Sequence, residues 1–346
     1  MQLLIELAER RLLPDDAIRY GIRNLLAARL KAEGSLTQED ALPYAERLAC
    51  EQRATEPVIG ASEANEQHYE APVEFFQSVL GPRLKYSSGY WPTGKEDLAA
   101  SEEAMLSLTC ERTGLEDGMR VLELGCGWGS LTLWMAEQYP GASITAMSNS
   151  TSQRAFIERL AEERGLTNLR VVTANIADFE PENRFDRVVS VEMFEHVRNH
   201  EWLFSRIADW LADDGRLFAH VFCHRVLAYT FEDQGPRDWM TRHFFTGGVM
   251  PSERLFEQYD RDLRVIDRWW VPGGHYARTC EAWLAELDRN HARCLAALAG
   301  YRGPGGPTRQ LQRWRMFFMA CAELFAYDRG EQWGVGHYLF QKQSGN

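Results

Sequence analysis

The chain has 346 residues, of which 45% are hydrophobic and 25% are charged, a balance that is typical of folded globular proteins and excludes wholesale disorder. The net charge of −12 argues against nucleic acid or an anionic membrane surface as a partner. No uncharged apolar run reaches the about 18 residues of a transmembrane helix, so we expect no stable membrane insertion.

The cysteines and the first residues indicate the compartment. None of the seven cysteines forms a C-x-x-C pair, so we expect reduced thiols in a cytoplasmic protein rather than disulfides or a metal site. Charged side chains at Glu6, Glu9 and Arg10 interrupt residues 1–11, so a secretory signal is not expected.

The predicted elements begin with a helical region. Apolar residues at helical spacing predict an amphipathic helix over residues 15–32. Residues 33–65 are polar and rich in alanine, and we expect helices with a mobile connection there. Residues 68–94 contain many aromatic side chains and predict a short helix and an irregular loop. We assign residues 1–94 to a helical N-terminal extension and cap.

From residue 119 onward, strands and helices alternate. The predicted strands are 119–124, 143–147, 169–173, 187–191 and 216–222, and the predicted helices between them are 130–139, 152–164 and 201–211. This alternation predicts a parallel sheet with helices on both faces. We therefore expect an α/β, Rossmann-like doubly wound core over residues 95–222.

The alternation stops after residue 222. Prolines and the segment 303–307, rich in glycine and proline, break residues 223–335, which also carry predicted helices at 279–298 and 309–326. We interpret this region as an inserted helical cap over the substrate. Late strands predicted at 263–270 and 336–341 could finish the sheet, and residues 336–346 form the terminal strand and tail.

The strongest motif is E-x-G-x-G-x-G, from Glu123 to Gly129, where the first strand meets a helix. Glycines such as Gly125 and Gly127 permit a tight turn and let a ligand approach the backbone at the carboxyl end of the strand. The dinucleotide fingerprint would need glycine where Ser130 stands. The acid would repel a pyrophosphate but tolerate the cationic amino-acid end of S-adenosylmethionine, so we predict this cofactor.

The next two strands are followed by further candidates for the cofactor. Residues 143–153 lack the acid that usually grips the ribose, and neutral hydrogen bonds could replace it. The neutral candidates are Ser148, Asn149, Ser152 and Gln153. After the third strand, Asn175 could bond the adenine and Ile176 could pack on its face. Each of these residues could equally serve as a helix cap or a turn.

Glu192, Glu195 and His196 follow the fourth strand, at the end where ligands bind. Methyl transfer needs a nucleophile about 3 Å from the methyl carbon, and a protonated amine lacks the lone pair. A carboxylate could bind the ammonium form, and a histidine could take its proton. Their spacing places all three on one face if a helix starts there. An ordinary acidic helix N-terminus with a structural histidine is the alternative.

Aromatic residues around this cluster could offer π-faces to a cationic guest, although core packing would explain each of them as well. They are Trp91, Phe194, Phe222, Trp239, Trp269 and Tyr276.

Taken together, these motifs resemble the cyclopropane-fatty-acid-synthase-like methyltransferases, and within them the coclaurine-type amine N-methyltransferases of benzylisoquinoline metabolism. The matching segments are 68–70, 84–91, 124–129, 148–150 with Gln153, 192–196, 245–248 with 250–252, 274–279 and 330–333. Together they span most of the chain. In combination they are specific, whereas the glycine turn alone would indicate only a methyltransferase.

The resemblance implies a class I methyltransferase fold and S-adenosylmethionine as the cofactor, with S-adenosylhomocysteine as the product. It implies that the cofactor is lined by Tyr86, Ser87, Gly125, Ser148, Asn149 and Gln153, and that Glu192, Glu195 and His196 form the catalytic cluster on the amine side. The expected substrate contacts are Trp91, Phe194, His220, Phe222 and Tyr276. No metal is expected, and a homodimer is what the resemblance suggests.

Two departures from the lipid synthases bear on the subfamily. Ser88 stands where those enzymes usually carry a cysteine, and Glu192 stands where they usually carry a glycine, as in the amine methyltransferases. In the synthases, Cys, Glu, His and Tyr side chains hold a bicarbonate. Glu195, His220 and Tyr276 align with three of these holders, so the resemblance leaves a bicarbonate site open.

The sequence therefore predicts an S-adenosylmethionine-dependent N-methyltransferase that acts on a small aromatic or alkyl amine, similar to a tetrahydroisoquinoline or a phenylethylamine. The alternative is an enzyme that forms a cyclopropane or a methyl branch on unsaturated acyl chains. A catalytically inactive binding protein is a third hypothesis, and the intact glycine motif argues against it.

Overall fold

The structure is a computed structural model that describes residues 2–34, 37–56, 71–233, 235 and 238–343. Part of the expected mobile connection, the matching segment 68–70 and Pro236 lie outside the described residues.

The strands and helices follow one another in the order that the sequence predicts for its central part. The strands are β1 (Arg120–Leu124), β2 (Ser143–Ser148), β3 (Leu169–Thr173), β4 (Phe185–Val191), β5 (Leu211–His224), β6 (Tyr229–Thr230), β7 (Val249–Met250), β8 (Leu263–Pro272) and β9 (Trp333–Lys342). The α-helices are α1 (Gln2–Glu9), α2 (Asp15–Glu33), α3 (Ala41–Arg53), α4 (Val73–Val79), α5 (Leu98–Thr113), α6 (Ser130–Gln138), α7 (Thr151–Glu163), α8 (His200–Trp210), α9 (Trp239–Phe244), α10 (Gly273–Arg289), α11 (His291–Ala297) and α12 (Gly306–Ala326).

Seven strands form one sheet in the order β3-β2-β1-β4-β5-β9-β8. Strands β1 to β5 are parallel, and β9 runs antiparallel to both β5 and β8. Residues Val121 to Leu124 of β1 are all buried, as a strand that is covered on both faces requires. The strand order reverses between β1 and β4, and ligands bind in such sheets at the carboxyl ends beside this reversal.

The N-terminal extension and the cap pack together. Helix α12 contacts α10, α2 and α1, and Trp283 and Trp314 are fully buried in this layer. Arg315 of α12 donates to Asp15 of α2 at 2.7 Å and to Asp288 of α10 at 2.6 Å. Because one buried guanidinium joins three helices, the extension is anchored to the cap.

The doubly wound core that the alternation predicts is confirmed, and the element ends differ by a few residues. Strand β5 continues to His224 because β9 pairs with it as far as Trp333. The single helix predicted over 279–298 is two helices, α10 and α11, and Asn290 lies at the break, where its side-chain amide donates to the carbonyl of Ser78 at 2.8 Å.

Helices α1 and α5 are elements that the sequence pattern did not predict. Helix α5 leads into β1, and the left-handed Gly114 ends it. None of the described helices combines the length and the apolar composition that crossing a membrane requires.

Candidate active site

The loop after β1 has a backbone that only glycines accommodate well. Gly125, Gly127 and Gly129 have φ values of 76°, 52° and 82°. A Cβ atom on Gly125 would lie 2.9 Å from Met193, and one on Gly129 would lie 2.6 Å from Ile157. The loop therefore touches the segment that carries the acidic cluster, so the two predicted sites are adjacent.

Glu123 lies beneath this loop rather than facing outward. Its carboxyl accepts a hydrogen bond of 2.5 Å from the Thr132 hydroxyl of α6 and is 3% exposed. Burial raises the pKa of Glu123 to about 8, so the carboxyl is mainly protonated at neutral pH. Glu123 therefore joins β1 to α6, and its contact with the cofactor stays a prediction.

The polar residues after β2 form a compact network. The Ser148 hydroxyl donates to Gln153 Oε1 at 2.6 Å, and the Ser150 hydroxyl accepts from the Gln153 backbone N–H at the start of α7. Gln153 Nε2 and Ser130 Oγ are buried and have no hydrogen-bond partner among the described residues. Because a buried polar atom without a partner is costly, these atoms fit a polar ligand such as S-adenosylmethionine.

The residues after β3 divide into a turn and a core position. Asn175 is exposed, and its Oδ1 accepts from the Ala177 backbone N–H at 3.0 Å, which is the turn alternative considered for it. Ile176 is buried in the core beside the carboxyl ends of the strands. Asn149 follows β2 at the same edge of the sheet. The contacts of all three with adenine or ribose stay predictions.

Tyr86 and Ser87 precede the sheet in the chain and lie between the cap and the core. The Tyr86 ring packs against Phe76, Trp283 and Trp314. The Ser87 hydroxyl accepts from Lys85 Nζ at 2.5 Å. Their contacts with the cofactor also stay predictions.

Glu192 is the centre of the acidic cluster. Its φ of +50° is a left-handed conformation that costs a non-glycine residue on the order of 1 kcal/mol. Three donors hold its carboxylate: the Ser88 backbone N–H at 3.1 Å, His220 Nε2 at 3.1 Å and the Tyr276 hydroxyl at 2.6 Å. These donors come from three distant parts of the chain. Tertiary contacts therefore stabilise the strained backbone.

Lys85 is a residue of this site that the sequence analysis missed. Its ammonium is buried, and its charge acts on both Glu192 and Glu102. Burial lowers the pKa of Lys85 to about 8 in spite of these carboxylates. The only signal in the sequence was its position inside the matching segment 84–91, because a single lysine has no periodicity.

Glu195 lies beside Glu192 but has fewer hydrogen-bond donors around its carboxyl group. It is fully buried, and its Oε1 accepts from the Phe222 backbone N–H at 2.7 Å. Its Oε2 has no hydrogen-bond partner among the described residues. Burial and the negative charge of Glu192 raise the pKa of Glu195 well above its usual value. A cationic group placed here would relieve both effects.

His196 completes the predicted cluster. Its ring packs on Phe245 with the ring centroids 4.9 Å apart. Burial lowers the pKa of His196 to about 4, so the imidazole is neutral at physiological pH. The expected helix face is wrong, since only the single 3-10 turn Phe194–His196 forms here and Glu192 precedes it in a left-handed conformation.

The aromatic candidates divide between the site and the core. Phe222 and Tyr276 contact the acidic cluster through the Phe222 backbone and the Tyr276 hydroxyl. Phe194 is fully buried against Phe204 and Phe256, which corrects its assignment as a substrate contact. The reason is that the turn directs its ring into the core.

The remaining three aromatic candidates are tryptophans, and each of them contacts a residue outside the acidic cluster. Trp91 Nε1 donates to the Thr279 hydroxyl at 3.0 Å, Trp239 Nε1 donates to Glu9, and Trp269 lies under the Arg112 guanidinium. Trp239 and Trp269 therefore pack against other parts of the molecule, and Trp91 is joined to α10.

Comparison with known proteins assigns the family. The family model described as mycolic acid cyclopropane synthetase matches residues 58–333. The chain belongs to this family of methyltransferases. It is 36% identical to (S)-coclaurine N-methyltransferase of Thalictrum flavum subsp. glaucum, with 98% of this chain and 95% of that protein covered. It is 32% identical to the cyclopropane-fatty-acyl-phospholipid synthase of Escherichia coli (strain K12), with 63% of this chain and 54% of that protein covered.

A solved structure shows the same likeness in three dimensions. The crystal structure of coclaurine N-methyltransferase bound to N-methylheliamine and S-adenosylhomocysteine has a TM-score of 0.92 with this chain, at 35% identity, and covers 98% of this chain and 99% of that one. The predicted fold, the S-adenosylmethionine dependence and the N-methyltransferase activity are thereby confirmed.

Within this family, the geometry bears on the bicarbonate site that the resemblance left open. Two of its aligned holders, His220 and Tyr276, donate instead to the carboxylate of Glu192. Glu195, the third aligned holder, accepts a hydrogen bond from the Phe222 backbone N–H. A side-chain carboxylate thus occupies the donors that a bicarbonate would need, which argues against the chemistry of the lipid synthases in this chain.

Proposed function

We propose that this N-methyltransferase acts on a small aromatic or alkyl amine of the tetrahydroisoquinoline or phenylethylamine type, and that Glu192, Glu195 and His196 bind it and remove its proton. The observation that carries the proposal is the pair of carboxylates next to the glycine loop, of which Glu195 is fully buried and Glu192 has a side chain that is 10% exposed. The names of relatives support a nitrogen acceptor, since they include coclaurine, pavine and tetrahydroprotoberberine N-methyltransferases.

The two carboxylates have different tasks in this proposal. Burial raises the pKa of Glu192, and the charge of Lys85 and the hydrogen bonds to its carboxylate oppose this rise, so in the proposal Glu192 carries the negative charge of the site. Glu195 Oε2 has no partner among the described residues, so it receives the N–H of the incoming ammonium. The ammonium charge lowers the pKa of both carboxyls, so both are ionised when the cation is bound and hold it beside the proton acceptor.

Bound S-adenosylmethionine supplies an electrophilic methyl group on a sulfonium. The chain's own residues hold the amine so that its lone pair faces that methyl group, and orientation of this kind accounts for much of the acceleration. Neutral His196 accepts the proton released from the amine and passes it to water. Phe222 and Phe245, whose rings lie 5.3 Å apart, form an apolar wall beside Glu195 and His196.

We assign the binding of the cofactor to the glycine loop and the polar network after β2. The residues proposed to hold it are Gly125, Gly127, Ser148, Asn149, Gln153, Asn175, Ile176, Tyr86 and Ser87. The buried, unpartnered Gln153 Nε2 supports this assignment. The substrate contacts proposed are Trp91, His220, Phe222 and Tyr276. Residues 1–94 and 223–335 are proposed to cover the substrate.

The test measures methyl transfer from labelled S-adenosylmethionine to a panel of tetrahydroisoquinolines and phenylethylamines, with vesicles of unsaturated phospholipid as a separate acceptor. We expect labelled N-methyl amines and no labelled lipid. The Glu195→Ala variant should lose most of the amine activity while it still binds the cofactor. Full activity in this variant would remove the role of Glu195, and labelled acyl chains would favour the lipid alternative.

We also propose a cytoplasmic location and a homodimer, both of which stay predictions. The reduced thiols support the first, since all seven cysteines are free. The second is tested by light scattering of the purified chain, where a single species with the mass of a monomer would contradict it.

A further inference from the structure

A chain of hydrogen bonds runs from α5 through two strands to the acidic cluster. Arg112 Nη1 lies 2.7 Å from His337 Nδ1, His337 Nε2 lies 2.9 Å from His220 Nδ1, and His220 Nε2 lies 3.1 Å from Glu192 Oε1. His220 and His337 are paired directly across β5 and β9, and both are fully buried. All four ring nitrogens therefore have a partner.

This chain of hydrogen bonds allows only one consistent placement of the hydrogens on the two imidazole rings. A guanidinium donates and cannot accept, so His337 Nδ1 carries no hydrogen and its hydrogen is on Nε2. His220 Nδ1 must then accept, and the His220 hydrogen is on Nε2, where it points at Glu192. A charged imidazole in either position would place two hydrogens in one contact. Burial and the charge of Arg112 also lower the pKa of both rings.

The same placement of hydrogens shows whether Glu192 Oε1 carries a proton. If this oxygen carried a proton, it would donate to His220 Nε2, and His220 would then donate through Nδ1 to His337. His337 would be left without a hydrogen on either nitrogen, which a neutral imidazole does not allow. The orientation that begins at Arg112 therefore requires Glu192 Oε1 to accept.

We propose that Arg112 and His337 are positioning residues for the methyl transfer: they fix His220 in the tautomer that donates to Glu192. This inference rests on the proposed role of Glu192. Neither residue touches the acidic cluster directly, and both act through His220. The groups that face Glu192 from the surrounding elements are Lys85, Glu195, His196, His220 and Tyr276.

The first experiment reads the tautomers without any reaction. Nitrogen-15 spectra of the protein labelled in its nine histidines, assigned with single histidine variants, should show His220 and His337 neutral with hydrogen on Nε2. In Arg112→Met, His337 should acquire a population with hydrogen on Nδ1. Hydrogen on Nδ1 of either ring in the wild type would overturn the proposal.

The second experiment is kinetic. Arg112→Met should lower kcat for the amine about tenfold, because His220 would no longer be held in the tautomer that donates to the Glu192 carboxylate. The Kd for S-adenosylmethionine should change less than about threefold. Arg112→Lys keeps a donor and should recover most of the loss. Glu192 would have a higher pKa in Arg112→Met, since it loses a stabilising donor, so the acidic limb of the kcat profile should move to higher pH.

Arg187→Met is the matched control. Arg187 is also partly buried, and its Nε donates to the carbonyls of Thr113 and Gly114 at the end of the same helix. Its loss should lower stability and leave kcat unchanged. If Arg112→Met does not fold, His337→Phe and His337→Gln, which remove and keep the donor to His220, replace it.

The outcomes separate this proposal from the proposed function. A folded Arg112→Met with wild-type kcat and pH profile overturns the positioning role. Loss of kcat in Glu192→Gln and in Arg112→Met, with recovery in Arg112→Lys, supports it. If the wild-type tautomers are as predicted but Glu192→Gln is fully active, the proposed role of Glu192 is wrong. The hydrogen bonds from Arg112 to Glu192 would then have no role in catalysis.

Discussion

The cofactor side and the acceptor side of the site are built in different ways. The glycine loop and the network after β2 are each made by residues that lie close together in sequence, such as Ser148 and Gln153. The carboxylate of Glu192, in contrast, binds donors at Ser88, His220 and Tyr276. The cofactor side is therefore visible as local motifs, whereas the donors around Glu192 come together only in the folded chain.

The difference extends to electrostatics. On the cofactor side the buried acid, Glu123, has one hydroxyl donor, and burial raises its pKa to about 8. On the acceptor side, Glu192 has three donors and a nearby ammonium, which oppose the effect of burial on its pKa. Both glutamates therefore have a raised pKa, but only Glu192 has several donors and a nearby cation that stabilise its anion.

The largest expected effect comes from Glu192→Gln. The change keeps the shape of the side chain but removes the negative charge that binds the ammonium and assists its deprotonation, so kcat/KM for the amine should fall by about 10²- to 10³-fold. Cofactor affinity should change by less than about threefold, measured by calorimetry. Glu323→Gln, which removes a carboxylate paired with Arg19 and Arg23, is the control and should retain full activity. Equal losses in amine activity and cofactor affinity would contradict the division into two sides.

Gly125→Ala should act mainly on the cofactor side. Its Cβ would meet Met193 at 2.9 Å in a left-handed backbone, so we expect a loss of about tenfold or more in cofactor affinity and of about 1–2 kcal/mol in stability. Gly118→Ala is the matched control, because Gly118 has φ +86° and nothing within 4 Å. It should lose stability alone. Equal cofactor affinity in both variants would sink the steric argument.

Phe194→Leu and Phe222→Leu distinguish a core ring from a ring at the site. Phe194 is fully buried among Phe204 and Phe256, so its replacement should cost about 1–2 kcal/mol of unfolding free energy and change the amine KM less than about twofold. Phe222→Leu should raise the KM more than it lowers stability. Urea unfolding and steady-state kinetics measure both quantities. A raised KM in Phe194→Leu would restore the earlier assignment.

The smallest effect on function is expected from Glu123→Gln. The pKa of Glu123 is raised in the fold, so the native state binds more protons than the unfolded state between about pH 4.5 and 8. The contribution of this group therefore makes stability fall as pH rises through that window. Glutamine should remove that part of the slope and change cofactor affinity less than about threefold at pH 7. The measurement is urea unfolding of the unliganded protein at several pH values.

Glu102→Gln is the comparison for that slope. Glu102 is also buried, with its pKa raised to about 7, and it accepts from the backbone of Gly81, Arg83 and Lys85. Glu102→Gln should remove a part of the pH dependence of stability that ends near pH 7, whereas the part removed by Glu123→Gln ends near pH 8. An unchanged slope in Glu123→Gln would mean that the carboxyl is ionised in the folded protein.

From the sequence alone we could predict the alternation of strands and helices, the glycine loop and the order of the candidate residues after β1 to β4. These features depend on local spacing, because a strand, a tight turn and a helix start are each specified within about ten residues. The resemblance added the family and the cofactor, and the structure kept the predicted element order.

The sequence could not show which of these side chains meet in the folded protein. The tertiary structure placed Phe194 in the core and Phe222 at the site, buried Glu123 beneath the loop, and added Lys85 to the cluster. It also joined Arg112 to Glu192 through His337 and His220. The physical reason is that a hydrogen bond depends on distance and direction, and strand pairing sets both between residues that are far apart in the chain.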